Sequence, residues 1–392
     1  MDLRRFFLFG IAFISFFFSF TATAATVIDN NAPIVSLRTT CTEAGGSVFI
    51  NNCFTDVTTL NNWLRYTRKP NVSAPLLVEI GPGNFGGINF GCLAPVAFSH
   101  VTFRGAGMKK TAIGPLTIGL ECTELTFQDL TVTQYTPGGN GYAVTIVNTG
   151  TGINTTWNGV FLDGNWDEYD SSCDPVINPA INPGKHYWFH SRINGKYNIK
   201  CDQSWFFGSE ISGQTQNSGR GFYALIALDV ASYGEAHIYG SNINAIFDTS
   251  IGPLTARRHV AVSASAGGKV HIHGTGIDVI GNGTGNIIAL EVGAGGEIHA
   301  NGAAYHMKQL PGGTKTRIQN NGGVVHAPYV WEEDNKPPTG VSSQNGADMF
   351  VQTGCAANGC QNAGTETHLL IYNKNCTGAG GPWFDVVTRA CR

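Results

Sequence analysis

Charge is scarce in this 392-residue chain: Asp, Glu, Lys and Arg together make up 13% of it, and the formal net charge at pH 7 is only −3. No stretch concentrates Lys or Arg. That argues against a nucleic-acid binder and against a protein held on an anionic membrane surface. Long hydrophobic runs are missing too, with one exception. Residues 6–20 are apolar, follow Arg4 and Arg5, and lead into Ala22-Thr23-Ala24. A positive start, a short apolar run and small residues in that order read as a secretory signal over residues 1–24. The run falls short of the about 20 apolar residues a spanning helix needs. The expectation is a secreted chain, extracellular or periplasmic, with no membrane span after cleavage.

A CxxC pair is also absent, which argues against structural zinc held by cysteine. All ten cysteines follow residue 24. An even number after a secretory signal points to disulfides in an oxidising compartment. Cys41 and Cys53 close CTEAGGSVFINNC, and Cys376 and Cys391 close CTGAGGPWFDVVTRAC; each is a Gly-Gly turn with its own pair. Cys355 and Cys360 make a third local pair. Cys92 and Cys122 stand 30 residues apart, and Cys173 and Cys201 stand 28 apart, gaps that suit neighbouring coils of a solenoid.

The repeated segments lack a helical period. What is present is glycine, 51 residues of it, with a 42% hydrophobic content that argues against disorder. Short apolar strands alternate with Gly, Asn and Thr turns, the pattern of an all-β protein. Four segments align: ASYGEAHIYGSNI, ASAGGKVHIHGTGI, VGAGGEIHANGAA and QNNGGVVHAPYV. Each carries a Gly turn followed by a His, and His237, His271, His299 and His326 are separated by 34, 28 and 27 residues. Repeats of that length with strand alternation define a β-solenoid. Alternation points Val270 and Ile272 inward and His271 and His273 outward. Coils about 4.8 Å apart then stack the four histidines into a ladder. One reading is an exposed polar stack beside a turn. The other is a metal site, since imidazole ligates Zn, Cu and Ni. No carboxylate is read as recurring beside the row, so no outer shell of ligand-orienting groups is expected.

The organisation follows: a signal at 1–24, an N-terminal cap at 25–75, a parallel β-helix at 76–330, a linker at 331–348 containing Pro337-Pro338, and a disulfide-rich segment at 349–392. Within the cap, Thr55 or Asp56 starts a short helix carrying Leu60, Trp63 and Leu64 at helical spacing.

Several motifs in order then carry a resemblance. LLVEIGPGNFGG, VTFRGAGMKKTAI, LTFQDLTVTQ, YAVTIV, FLDGNWDEY and WFHSRINGKYNI resemble, over about residues 75–215, the pectinesterases of the pectin-lyase-like superfamily. The resemblance implies a right-handed parallel β-helix acting on a polysaccharide, with no cofactor. The partner implied is pectin or another acidic or acylated glycan. In that family one Asp attacks the ester carbonyl, a second, protonated Asp serves the leaving alcohol, and two glutamine amides hold the oxyanion. Carried over residue by residue, the acid/base Asp falls on Asp167. The two glutamines fall on Tyr142 and Trp166, the nucleophile on Asn198, the orienting Arg on Arg257, and the aromatic after it on His259. Tyr142 and Asp167 stand 25 residues apart, as in the family, whereas the 31-residue step to Asn198 is long and is absorbed by an insertion at 171–183.

A neutral Asn cannot attack an ester, and each lost oxyanion donor costs about 10²–10³ in rate. A shifted alignment offers three carboxylates as the nucleophile: Asp202 on the strand parity of Asn198, Glu168 beside Asp167, and Glu210 in the next strand. Asp163, Asp167 and Asp202 also read as turn-capping residues. Trp166, between Asn165 and Asp167, is expected to be exposed in a sugar-packing groove with Tyr142, whereas Trp188 and Trp205 are expected in the core or in coil stacks. No Asp cluster for a Ca²⁺-dependent lyase is present, and His273-Gly274 is only a fragment of a galacturonase-like motif. The expectation is a pectinesterase-like β-helix with a remodelled cleft; the alternative is a non-catalytic glycan-binding or metal-binding surface protein.

Overall fold

Strand follows strand at intervals of one coil, and each returns parallel to its predecessor. The structure is a computed structural model describing residues 28–42, 50–90, 98–119, 122–134, 142–147, 152–169, 182–213, 224–246, 258–281, 286–309, 313–327 and 330–332. It also gives the backbone of four strands between residues 349 and 391. The expected signal at 1–24, Cys92, Cys173, Arg257, Cys360, Cys376 and residues 333–348 lie outside the described residues, as do the side chains of Cys355 and Cys391.

Three all-parallel sheets of 12, 10 and 9 strands wrap one interior, making the chain a right-handed parallel β-helix. Every third strand falls in the same sheet, so each coil contributes one strand to each face. The 12-stranded sheet runs from Cys53–Phe54 and Ile34–Leu37 at one end to Val324–His326 at the other. A separate four-stranded antiparallel sheet pairs Met349–Cys355, Glu366–Tyr372, Trp383–Asp385 and Ala390–Cys391 in that order.

The interior is a set of columns, because parallel in-register coils place like residues above one another. Phe103, Phe127, Trp157, Trp188 and Phe206 form a continuous inner stack with ring centroids 5.3, 4.2, 4.8 and 6.3 Å apart. Ile238, Ile272 and Ala300 continue it, all fully buried.

The cap helix Val57–Asn62 starts at Asp56, whose carboxylate accepts from Thr59 N at 2.8 Å. It continues as a wider turn, Trp63–Arg68, ended by Lys69 in a left-handed conformation (φ 45°). Leu60, Trp63 and Leu64 join the same core as Val35, Leu37 and Val78. Cys41 and Cys53 are bonded to each other. Cys122 and Cys201 are also disulfide-bonded.

Candidate functional site

The predicted cleft lies on the outer face of the 9-stranded sheet, and it is built by register. Asp167 in Asn165–Tyr169 pairs with Asn198 in Tyr197–Lys200, one coil on. Gly195 permits that closeness: a Cβ there would stand 2.3 Å from the Gly164 carbonyl oxygen. Asn198 Nδ2 donates to Asp167 Oδ1 at 2.6 Å, and Lys200 Nζ lies 3.5 Å from the same oxygen. Tyr142 is 40% exposed and close enough to Asp167 that the carboxylate's charge, after desolvation, pushes its phenol up. Asp167, Asn198 and Tyr142 therefore share one place.

Trp166 does not join them. Its ring is wholly buried, stacked on Tyr197 at 5.0 Å and edge-on to Trp157 and Trp188. This corrects the expectation of exposure, and the reason is alternation: with Asp167 facing out, both of its neighbours face in. Glu168 is inside for the same cause and cannot serve the cleft. Asp202 is also inside. Cys201 takes φ 73°, breaking the strand parity that would have kept Asp202 beside Asn198. Glu210 lies on the 10-stranded sheet, bonded to Ser212 and Asn244, and Asp163 accepts from Asn194 there. His259 is buried.

Residues that the sequence reading missed extend the site along the helix. The outward file continues from Asn198 to Asp229, Ser263, Glu291 and Gln319, one residue per coil. In the other direction it runs through Thr145 and Thr117. Asp229 holds Lys196 Nζ at 2.6 Å, and Glu291 is ion-paired with Arg258, whose guanidinium burial pulls down. Although they face outward, Asp167, Ser263 and Glu291 are only 8%, 8% and 6% exposed, so the file is recessed. The result is a row of carboxylates, amides and hydroxyls with three cations set into it. The signal was the coil period itself, applied to Asp229 and Glu291 as it was to the histidines.

Inside the coil, Glu168, His186 and Asp202 bring donor atoms within 4.8 Å of one another, all fully buried. Burial, then the charge of Asp202, pushes the Glu168 carboxyl well above the usual carboxylate range. Its oxygens accept from Lys200 N at 2.6 Å and Trp166 Nε1 at 3.3 Å.

The histidine ladder forms on the outer face of the 12-stranded sheet as the repeat requires. His237, His271, His299 and His326 are in register, with ring centroids 4.8, 4.9 and 4.7 Å apart. Trp205 and Tyr187 extend the stack on one side, so Trp205 is in a coil stack. A second row, Phe189, Phe207, Tyr239 and His273, runs beside it. Because the rings lie face to face along the axis, their edges are what meet solvent. The expectation that no carboxylate recurs beside the histidines is corrected: Glu235 and Glu297 stand in the adjacent file on alternate coils, with Lys269 between them. Glu235–His237–His271 and Glu297–His299–His326 each gather donor atoms within 4.8 Å.

The fold makes this a parallel β-helix protein. No family model matches the sequence, and no curated protein matches it. A solved chain described as Geobacillus virus E2 ORF18 is similar over 90% of this chain and 75% of that one, at 9% identity and a TM-score of 0.30. A likeness at that level carries no argument about function. Among the described residues no helix is long and apolar enough to cross a membrane.

Proposed function

We propose that this chain is a secreted, pectinesterase-like β-helix that binds a polysaccharide along the outer file of its 9-stranded sheet without cleaving esters there. The observation that carries the reading is the 2.6 Å hydrogen bond from Asn198 to Asp167. It occupies the one retained family carboxylate with a neutral amide where a nucleophile is needed. Trp166, at one of the two oxyanion-glutamine positions, is turned into the core, which supports loss of the ester-cleaving chemistry.

Binding through the file rests on its chemistry. Carboxylates, amides and hydroxyls in a recessed row suit the hydroxyls of a sugar chain, and Lys196, Lys200 and Arg258 offer cations to a uronate carboxylate. The aromatic rows on the 12-stranded sheet suit it less, because their ring faces already cover one another.

The test is a panel of methylated and de-esterified pectins and acetylated glycans, scored for binding by calorimetry and in parallel for methanol and acetate release. The expected result is binding that weakens in Lys200→Ala and Asp229→Ala, with no release. Ester cleavage lost in Asp167→Ala, or no binding to any member of the panel, overturns the reading.

A further inference from the structure

We propose that the outer face of the 12-stranded sheet binds two divalent transition-metal ions of the Zn²⁺ type, one at Glu235–His237–His271 and one at Glu297–His299–His326. The sites lie on a different sheet from the glycan file, so the two readings stand or fall separately.

In the first set one carboxylate oxygen already reaches both imidazoles. Glu235 Oε1 lies 3.1 Å from His237 Nε2 and 3.3 Å from His271 Nε2. Ligand atoms of a tetrahedral zinc with bonds of about 2.0–2.1 Å stand about 3.3 Å apart. A metal replaces the protons that now bridge these atoms once His237 and His271, stacked nearly parallel with centroids 4.8 Å apart, turn about their side-chain bonds so that both ring planes meet at the ion. The second set repeats the plan two coils on, roughly 10 Å along the axis: Glu297 Oε1 lies 2.5 Å from His299 Nε2, and His326 stacks on His299.

The other carboxylate oxygen is hydrogen-bonded in the first set and faces an ammonium in the second. Gln203 Nε2 donates to Glu235 Oε2 at 2.8 Å, and Lys269 Nζ lies 3.8 Å from Glu297 Oε2. Such outer contacts are what orient metal ligands in built sites. Lys269 also explains why there are two sites and not a continuous line. Its ammonium stands in the carboxylate file between Glu235 and Glu297, on the coil of His271. Two histidines and one carboxylate per ion, all part-exposed, leave a coordination position open to water or to a ligand. Imidazole with carboxylate favours Zn²⁺, Ni²⁺ and Cu²⁺ over Ca²⁺ and Mg²⁺.

The experiment is equilibrium dialysis of the tag-free chain against Zn²⁺ at neutral pH, with bound metal counted by mass spectrometry. Two ions per chain are expected. His237→Gln removes one, His299→Gln the other, and Glu235→Gln weakens the first by about tenfold or more. Circular dichroism confirms that each variant keeps its fold. Crystals soaked in Zn²⁺ give an independent readout: anomalous peaks at the two sets support the proposal. Peaks elsewhere on the chain or none, or zinc uptake unchanged in the His237→Gln/His299→Gln double variant, overturn it.

Discussion

Asp202 Oδ2 lies 3.2 Å from His186 Nε2, with both side chains wholly buried inside the coil. The contact is one step in a longer chain of bonds. His186 Nδ1 meets the Thr155 hydroxyl at 2.8 Å, Trp157 Nε1 donates to that hydroxyl at 2.7 Å, and Gly184 N donates to Asp202 Oδ1 at 2.8 Å. Removing one member strands the others away from water, which typically costs about 3–5 kcal/mol. Asp202→Ala is expected to lose stability in that range in urea titrations. The double variant Asp202→Leu/His186→Phe is expected to lose less than the two single changes added together. Additive losses would mean that the pair is not coupled.

Glu168 makes the stability depend on pH. Burial and the charge of Asp202 raise its carboxyl above the ordinary value, so the folded chain keeps a proton that the unfolded chain gives up. A raised acid of this kind removes stability as pH climbs from the ordinary carboxylate range towards the folded value. Glu168→Gln cannot ionise. It loses an acceptor for one buried N–H, at about 1 kcal/mol, at every pH, but its melting temperature is expected to fall less than the parent's between pH 5 and pH 8. Equal slopes would contradict a retained proton.

Trp166 is a core residue, and its substitution reads out packing. Trp166→Ala is expected to cost about 3–5 kcal/mol. Trp166→Phe, which keeps most of the stack on Tyr197, is expected to bind glycan as the parent does. A folded Trp166→Phe chain whose affinity dropped tenfold would place the ring at the groove after all.

Restoring a carboxylate at the nucleophile position is not expected to restore catalysis. Asn198→Asp sets carboxylates at 167, 198 and 229 on three successive coils about 4.8 Å apart. Like charges that close raise one another's titration, so the variant loses stability as pH rises through the carboxylate range. Methanol release from methylated pectin is expected to stay at background, because Trp166 supplies no oxyanion donor outside the core. Release by the single variant would show that the nucleophile alone was missing.

The β-helix and its histidine ladder were legible because in-register coils convert a repeat in sequence directly into a column in space. The four Gly-turn segments, the inward Val270 and Ile272 and the outward His271 needed only the two-residue alternation. The same rule, anchored on Asp167, puts Trp166 and Glu168 inside; reading Trp166 by its polar neighbours instead of by parity led to the wrong face. Glu235 and Glu297 escaped notice because the carboxylate recurs on alternate coils, with Lys269 and Val324 in the same file between and after them.

Parity fails at turns, and there tertiary structure alone decides. A left-handed residue at Cys201 swings Asp202 from the expected outer file to a partnership with His186. Composition and repeat by themselves determined the class of fold, its faces and the outward histidines, since strand alternation and coil stacking are local and periodic. Which side chains meet across coils depended on registers and turn angles that only the closed helix sets. That is why Asn198 bonds to Asp167, Glu235 reaches two histidines, and Glu168, His186 and Asp202 lie sealed in the core.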